Sequence, residues 1–411
     1  MKTLLCALLC VLGASAILAA QPPATKMPAK TADQSEAVKG SNAFAVDLYH
    51  QLGAKPGNLF FSPESISTAF AMTYAGARGQ TAAEMQKVFH FTLPPDRLHP
   101  AMGALLAGMN APHQGYALSV ADALWAEQDE HFFPAYLKLV ETNYRAGFHA
   151  VDFKSAPESV RATINQWVEK QTNDKIQNLL GPGTVTPLTR LILTNAIYFK
   201  GNWAAGFDKD QTKDEEFHLS AAQTVKTPLM HRTDGYRYYD GGTFQALELP
   251  YAGNELSMVV LLPKEIGGLP AIEKSLTSTA ANAWLEKLKF EDKVILTLPR
   301  FKTPQQFELK DTLGKMGMAQ AFSNTADFSG MDGKPDLFIS AAIHKAYIDV
   351  NEEGTEAAAA TGVVMRQALA RAPMPESPPI VFTADHPFLF LIRENASGAI
   401  LFMGRVTDPA K

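Results

Sequence analysis

The residues able to do chemistry are scattered through this chain, and none falls into a catalytic pattern. None of the ten histidines stands at metal-ligand spacing from another ligand within one predicted element. There is no Gly-x-Ser-x-Gly elbow to expose a serine nucleophile, no His-Glu-x-x-His, no phosphate-cradling Walker loop and no dinucleotide glycine fingerprint. Asp327-Phe328-Ser329-Gly330 differs from a kinase Asp-Phe-Gly by an inserted serine and lacks the accompanying loops. Both cysteines, Cys6 and Cys10, lie in the apolar N-terminal segment, so the chain beyond it offers no thiol for a disulfide, a zinc site or a nucleophile. Asn395-Ala396-Ser397 is a glycosylation sequon held in a tight turn, where we expect it to go unused. A lone His344 reads as a buried, hydrogen-bonded histidine. Enzyme readings are therefore weak on the residues alone.

Bulk properties exclude other classes. The chain has 411 residues, 46% of them hydrophobic and 19% charged, with a net charge of −5. That composition suits a folded protein. Acidic balance without a Lys/Arg cluster argues against a nucleic-acid partner. No uncharged apolar run of about eighteen residues follows the N-terminus, so no membrane span is expected. Residues 1–20 carry one lysine, an apolar core and small residues, the pattern of a signal peptide cleaved between Ala16 and Ala20. It predicts a secreted or periplasmic protein. Residues 21–37 read as a flexible leader, with folded structure from Val38 to Lys411.

The elements that must position any site are a mixture of helices and strands. Phe44, Leu48 and Leu52 recur every four residues before Gly53, which predicts a helix with a glycine stop. Thr81-x-x-Glu84 and Ser155-x-x-Glu158 read as capping boxes opening two further helices, the second striped by Val160, Ile164, Trp167 and Val168. Leu191–Phe199 is a nearly continuous apolar run, as in a central strand buried on both faces. SMVVLLP, KVILTLP, LFISAAIHKAYIDV, PFLFLIREN and AILFMGRV read as strands, the last two joined by a hairpin turn at 394–398. No repeat or linker divides residues 38–411, so one α+β domain is expected. The exception is the stretch between Glu352 and Phe382, roughly thirty residues long, first small, then proline-rich. By composition Ala357–Ala360 reads as helix or linker.

Five segments resemble one family. NLFFSPESISTAFAMTYAGARGQTAAEM from Asn58, LTNAIYFKGNW from Leu193, LPYAGNELSMVVLLP from Leu249, IHKAYIDVNEEGTEAAAATGVVM from Ile343 and HPFLFLIRENASGAILFMGRVTDP from His386 look like the serpins, in the right order, across Val38 to Pro409. The resemblance implies three β-sheets, eight to nine helices and an exposed reactive loop, here about residues 352–381. It also implies a metastable monomer that traps a serine protease in a 1:1 covalent complex when its cut loop inserts into the large sheet. With the resemblance comes the expectation of no catalytic residue, no metal and no cofactor, and so of a protein that is not an enzyme.

The loop suits that role. Thr355, Ala357, Ala359, Thr361 and Val363 would face one side of the sheet and Glu356, Ala358, Ala360, Gly362 and Val364 the other, with no aromatic and no proline among them. Gly354 opens the hinge, and Pro373, Pro375, Pro378 and Pro379 all come later. Non-inhibitory serpins usually carry bulky, charged or proline residues there, so the inhibitory type is expected, with a non-inhibitory serpin as the alternative. Matching the family assigns Ser62, Ser65, Asn195 and His344 to a polar cluster that holds the sheet closed. It assigns Trp203, Arg300 and Glu352 to the base of the loop. Family spacing from Gly354 puts the scissile bond at Ala368-Leu369, for an elastase-like or subtilisin-like protease. Arg366-Gln367 and Arg371-Ala372 would instead suit a trypsin-like enzyme. The segment matching the heparin-binding helix of some serpins, PPDRLHPAMGALLAGMN, has one Arg and no Lys, so no heparin activation is expected.

Overall fold

Hydrogen-bond capping decides where the first helix begins. Thr31 accepts from the Gln34 amide at 3.2 Å while the Gln34 side chain accepts from the Thr31 amide at 2.7 Å, opening α1 (Ala32–Gly53). Residues 32–37 thus belong to the helix, which corrects the boundary of the expected leader. The computed structural model describes residues 31–113, 115–144, 147–355 and 378–411. In α1 the predicted Phe44 and Leu48 are fully buried. The two other capping boxes are not formed. Thr81 and Glu84 instead accept from the amides of Asp327 and Gln320, and the helix Gly79–Val88 has no side-chain cap. The helix Pro157–Gln171 is likewise uncapped by Ser155, although Val160, Ile164 and Val168 form the expected buried stripe. A second helix, α2 (Pro63–Tyr74), is buried from Pro63 to Thr73, because it runs through the core beneath a sheet.

Fifteen strands occur among the described residues. The first five are β1 (Leu59–Phe61), β2 (Tyr116–Glu127), β3 (Phe148–Val151), β4 (Leu191–Asn202) and β5 (Lys213–Ser220). Then come β6 (Gln223–Asp240), β7 (Phe244–Pro250), β8 (Leu256–Pro263), β9 (Lys289–Pro299) and β10 (Phe301–Glu308). The last are β11 (Ala341–Asn351), β12 (Gly354–Thr355), β13 (Ile380–Thr383), β14 (Phe388–Glu394) and β15 (Ile400–Val406). They form a nine-stranded sheet, β1-β15-β14-β8-β7-β6-β9-β13 with β5 on β6, and a six-stranded sheet, β10-β11-β12-β4-β2-β3. Two of the three expected sheets run together because the long β6 pairs β5 and β9 along its length and β7 at its end. Eight α-helices of seven residues or more are described, with two shorter ones.

Within the six-stranded sheet β4 is buried on both faces from Leu191 to Phe199, as its apolar run requires. Leu191, Leu193, Ile197 and Phe199 join the main core, while Ile192 and Ala196 pack with Ile164 and Val168 of the helix Pro157–Gln171. β4 and β11 run parallel and pair directly from Ile192 opposite Ala341 to Tyr198 opposite Tyr347. Beyond that point they part. β12 fills the gap antiparallel to both, with Thr355 opposite Val350 and Gly201, and Gly354 opposite Asn351 and Asn202. No helix among the described residues is long and apolar enough to cross a membrane.

Candidate functional site

The site is built where β4 and β11 change from neighbours to a fork. At the fork Gly354 has φ 149°, and a Cβ there would meet the Gly201 carbonyl oxygen and, at 2.7 Å, the Asn202 Cα. Only glycine fits so close between two backbones. Thr355, expected as the first residue to enter the sheet, already lies inside it and is fully buried. Residues 356–377 lie outside the described residues. They include Glu356, Ala357, Ala358, Ala359, Ala360 and Thr361 of the hinge and all three candidate scissile bonds, Ala368-Leu369, Arg366-Gln367 and Arg371-Ala372.

The loop base gathers the three residues assigned to it. The Arg300 Nε donates to Glu352 Oε1 at 2.8 Å, and the Thr212 hydroxyl donates to the same oxygen. Burial opposes the charge on Glu352, but these hydrogen bonds outweigh it and hold its carboxyl below the usual range. The Trp203 Nε1 donates to the Asn351 carbonyl at 2.9 Å, and its amide to the Glu353 carbonyl at 2.8 Å. The neighbouring Glu353 pairs with Lys209 at 2.6 Å. Both residues preceding Gly354 are therefore tethered by side chains on other elements.

The polar cluster expected to hold the sheet closed, the gate, lies three residue pairs below the last β4–β11 pair, Tyr198 opposite Tyr347. His344 is registered opposite Asn195, and Asn195 opposite Asp122, so the three form a row across β11, β4 and β2. All three point into the core beneath α2, whose N-cap is Ser62. The Ser62 amide donates to His344 Nε2 at 3.1 Å, so the ring proton sits on Nδ1 and is donated to Asn195 Oδ1. The Asn195 amide donates to Ser65 Oγ and Asp122 Oδ1. Ser65 also donates to Asp122 at 3.3 Å, and Ser62 Oγ donates to the Leu401 carbonyl at 2.7 Å. The structure thus brings Ser62, Ser65, Asn195 and His344 together in one network. It adds Asp122 to that network and Thr212 to the loop base, neither of which the sequence singled out. An acid in the middle of the apolar run of β2 was a legible signal for Asp122; nothing local marked Thr212.

The gate carries two opposed titrations. Burial depresses the His344 pKa to about 3, although its bond to Asn195 works the other way. An unfolded ring takes a proton below its ordinary value of 6.5 that the folded ring refuses, so this contribution is present above pH 6.5 and lost as pH falls toward 3. Burial raises the Asp122 carboxyl well above its usual range despite the bonds from Asn195 and Ser65, and its Oδ2 has no partner among the described residues. Here the sign reverses: the contribution is full below the ordinary value of 3.8 and lost as pH rises through the folded value. Asp122→Asn keeps the shape and the Oδ1 acceptor but removes the titration. Its melting temperature is expected to exceed the wild type's at about pH 8, by the equivalent of ~1–3 kcal/mol, with the gap closing near pH 4. A gap independent of pH, read by scanning calorimetry, contradicts this. His344→Ala strands the Ser62 amide and the Asn195 carbonyl at a cost of ~1–3 kcal/mol. It should polymerise or turn latent on mild heating, checked by size-exclusion chromatography.

Comparisons with known proteins bear on the family and the fold. The family model "Serpin (serine protease inhibitor)" matches residues 39–409. Human leukocyte elastase inhibitor is 44% identical over 377 residues, covering 89% of this chain and 97% of that protein. Among solved structures, uncleaved ovalbumin superposes with a TM-score of 0.82 at 30% identity, covering 91% of this chain and 100% of that one. Serpin48 of the insect Tenebrio molitor, a highly specific serpin, gives 0.80 at 33%, covering 92% and 99%. With sheet, fork and glycine hinge in place and the match running almost end to end, the chain belongs to the serpin family of serine protease inhibitors.

Proposed function

We propose that the protein is a secreted or periplasmic suicide-substrate inhibitor that traps its target protease 1:1 as an acyl-enzyme. One observation carries this reading: Gly354 and Thr355 are seated antiparallel between two strands that are themselves parallel. The chain beyond them has a continuous seat to follow. At the same register Glu356 would fall between Asp349 and Lys200, and Thr361 between His344 and Asn195. Full insertion would therefore open the gate, and a threonine hydroxyl would stand where the histidine and the asparagine had met. A dozen new backbone pairs at ~1 kcal/mol net each would release on the order of 10 kcal/mol.

In this mechanism the protease's serine attacks the loop carbonyl and the amine side leaves, giving an ester between enzyme and inhibitor. Insertion then drags the ester away and pulls the protease's triad and oxyanion hole out of register, so that water no longer resolves it. The inhibitor supplies no catalytic group. Ala368-Leu369 is the proposed bond and an elastase-like or subtilisin-like enzyme the proposed target. The small side chain of Ala368 and the name of the human relative support it. Heparin activation is not part of the proposal: the one arginine of the helix Pro95–Met109, Arg97, is paired with Asp33.

Incubation with a panel of serine proteases tests the reading. An SDS-stable adduct is expected, with a released fragment of 43 residues beginning at Leu369. Clean turnover without an adduct would sink the inhibitor assignment. A fragment beginning at Gln367 or Ala372 would move the target to a trypsin-like enzyme. The gate step has its own test. Thr361→Arg should leave the loop cleavable yet abolish the adduct, because a guanidinium would have to enter a buried row that offers His344, a neutral ring, beside it. Wild-type adduct yield from that variant would exclude insertion past the gate. Sequencing the exported protein is expected to find a new N-terminus between Ala16 and Gln21.

A further inference from the structure

Tyr251 lies fully buried in the turn between β7 and β8, in the nine-stranded sheet, yet its hydroxyl reaches Thr355 in the six-stranded sheet at 2.8 Å. Each of these hydroxyls is the other's only hydrogen-bond partner among the described residues. The tyrosine has no freedom to find another. Trp203 stacks on its ring at 4.6 Å and 17°, Phe199 meets it edge-on at 5.1 Å and 89°, and its backbone is bridged to Trp203. Burial holds the phenol far above its usual range, so it remains neutral at every working pH.

The hinge has little else to hold it. β12 is two residues long, too short to be stable as a strand on its own pairing, and Gly354 contributes no side chain. The Thr355 hydroxyl is therefore the only side-chain anchor inside the fork. If the phenol oxygen were removed, that hydroxyl would stay buried and unpaired, a state that favours its return to water.

We propose that Tyr251 is a positioning residue for the trapping reaction: its hydroxyl latches Thr355 inside the sheet before the loop is cut. Insertion then starts at Glu356, from a slot already open at its end. After acylation, insertion competes with hydrolysis of the ester. A latched hinge removes the first step from that race and lowers the number of inhibitor molecules consumed per protease trapped. The latch rests on the loop-insertion reading given above and names the residue that prepares it.

Three variants separate the latch from simple packing: Tyr251→Phe, Thr355→Val and the pair together. Hydrogen exchange of the Thr355 amide in the uncleaved protein reads the latch without any protease. Tyr251→Phe is expected to lower that protection roughly ten- to a hundredfold, the scale set by one stranded buried hydroxyl. It should also raise severalfold the moles of inhibitor consumed per mole of protease trapped in SDS-stable adduct. Thr355→Val and the double variant have lost the same bond, so each should match Tyr251→Phe in both readouts, without addition. Unchanged exchange and unchanged consumption in Tyr251→Phe would overturn the latch, as would a double variant whose effect is the sum of the two single ones. If the wild type forms no adduct with any protease of the panel, the insertion reading fails first and the latch falls with it. An adduct from wild type with identical consumption by Tyr251→Phe removes the latch alone.

Discussion

Two parallel strands that touch along only part of their length leave a fork lined by unpaired backbone, and this structure is organised around that fork. β4 and β11 pair from Ile192 to Tyr198 and from Ala341 to Tyr347, then part around two inserted residues. Buried amides and carbonyls demand partners, so such an opening is tolerated only where something can fill it. A strand running antiparallel between two parallel ones bonds to both, which is why the hinge can sit there at all. Everything near the fork serves closeness: Gly201 and Gly354 bring backbones together, and a ring packs against the first of them where a Cβ would stand.

Below the fork, the sheet is closed by a polar row inside an apolar core. Apolar side chains would have sealed the strands with less desolvation, whereas this seam depends on directional bonds between strand and helix residues. Asp122 departs furthest from an apolar seal. It is buried, and among the described residues one of its oxygens is unpaired and its hydrogen-bond partners are the neutral Asn195 and Ser65.

Above the fork, the two sheets are tied to each other through aromatic rings and an isolated backbone bridge between Trp203 and Tyr251. Trp203 leaves β4 and stacks on Tyr251 of the other sheet while its indole nitrogen holds the Asn351 carbonyl. Glu352 is gripped from one side by Arg300 and from the other by Thr212. The chain is thus fastened on several elements through Glu353, and Gly354 and Thr355 continue it between the two strands.

Local chemistry made much of this legible in the residues alone. The apolar run of β4, the hairpin at Glu394–Gly398 and the stripe Val160, Ile164 and Val168 follow from periodicity and turn chemistry, and the structure has all three. Ser62, Ser65, Asn195 and His344 could be grouped only through a family resemblance, since nothing along the chain connects residues so far apart. The capping box at Thr81 was a false signal because a tertiary partner, the Asp327 amide, takes its hydroxyl, and the one at Ser155 because the helix begins one residue later, with Ala156 at its N-cap. What only the folded molecule decided was position across the sheets. That Asp122 shares a row with His344, that Thr212 completes the grip on Glu352 and that Tyr251 reaches Thr355 depend on strand register and sheet packing. Those arise from contacts between residues more than seventy positions apart, which no local pattern encodes.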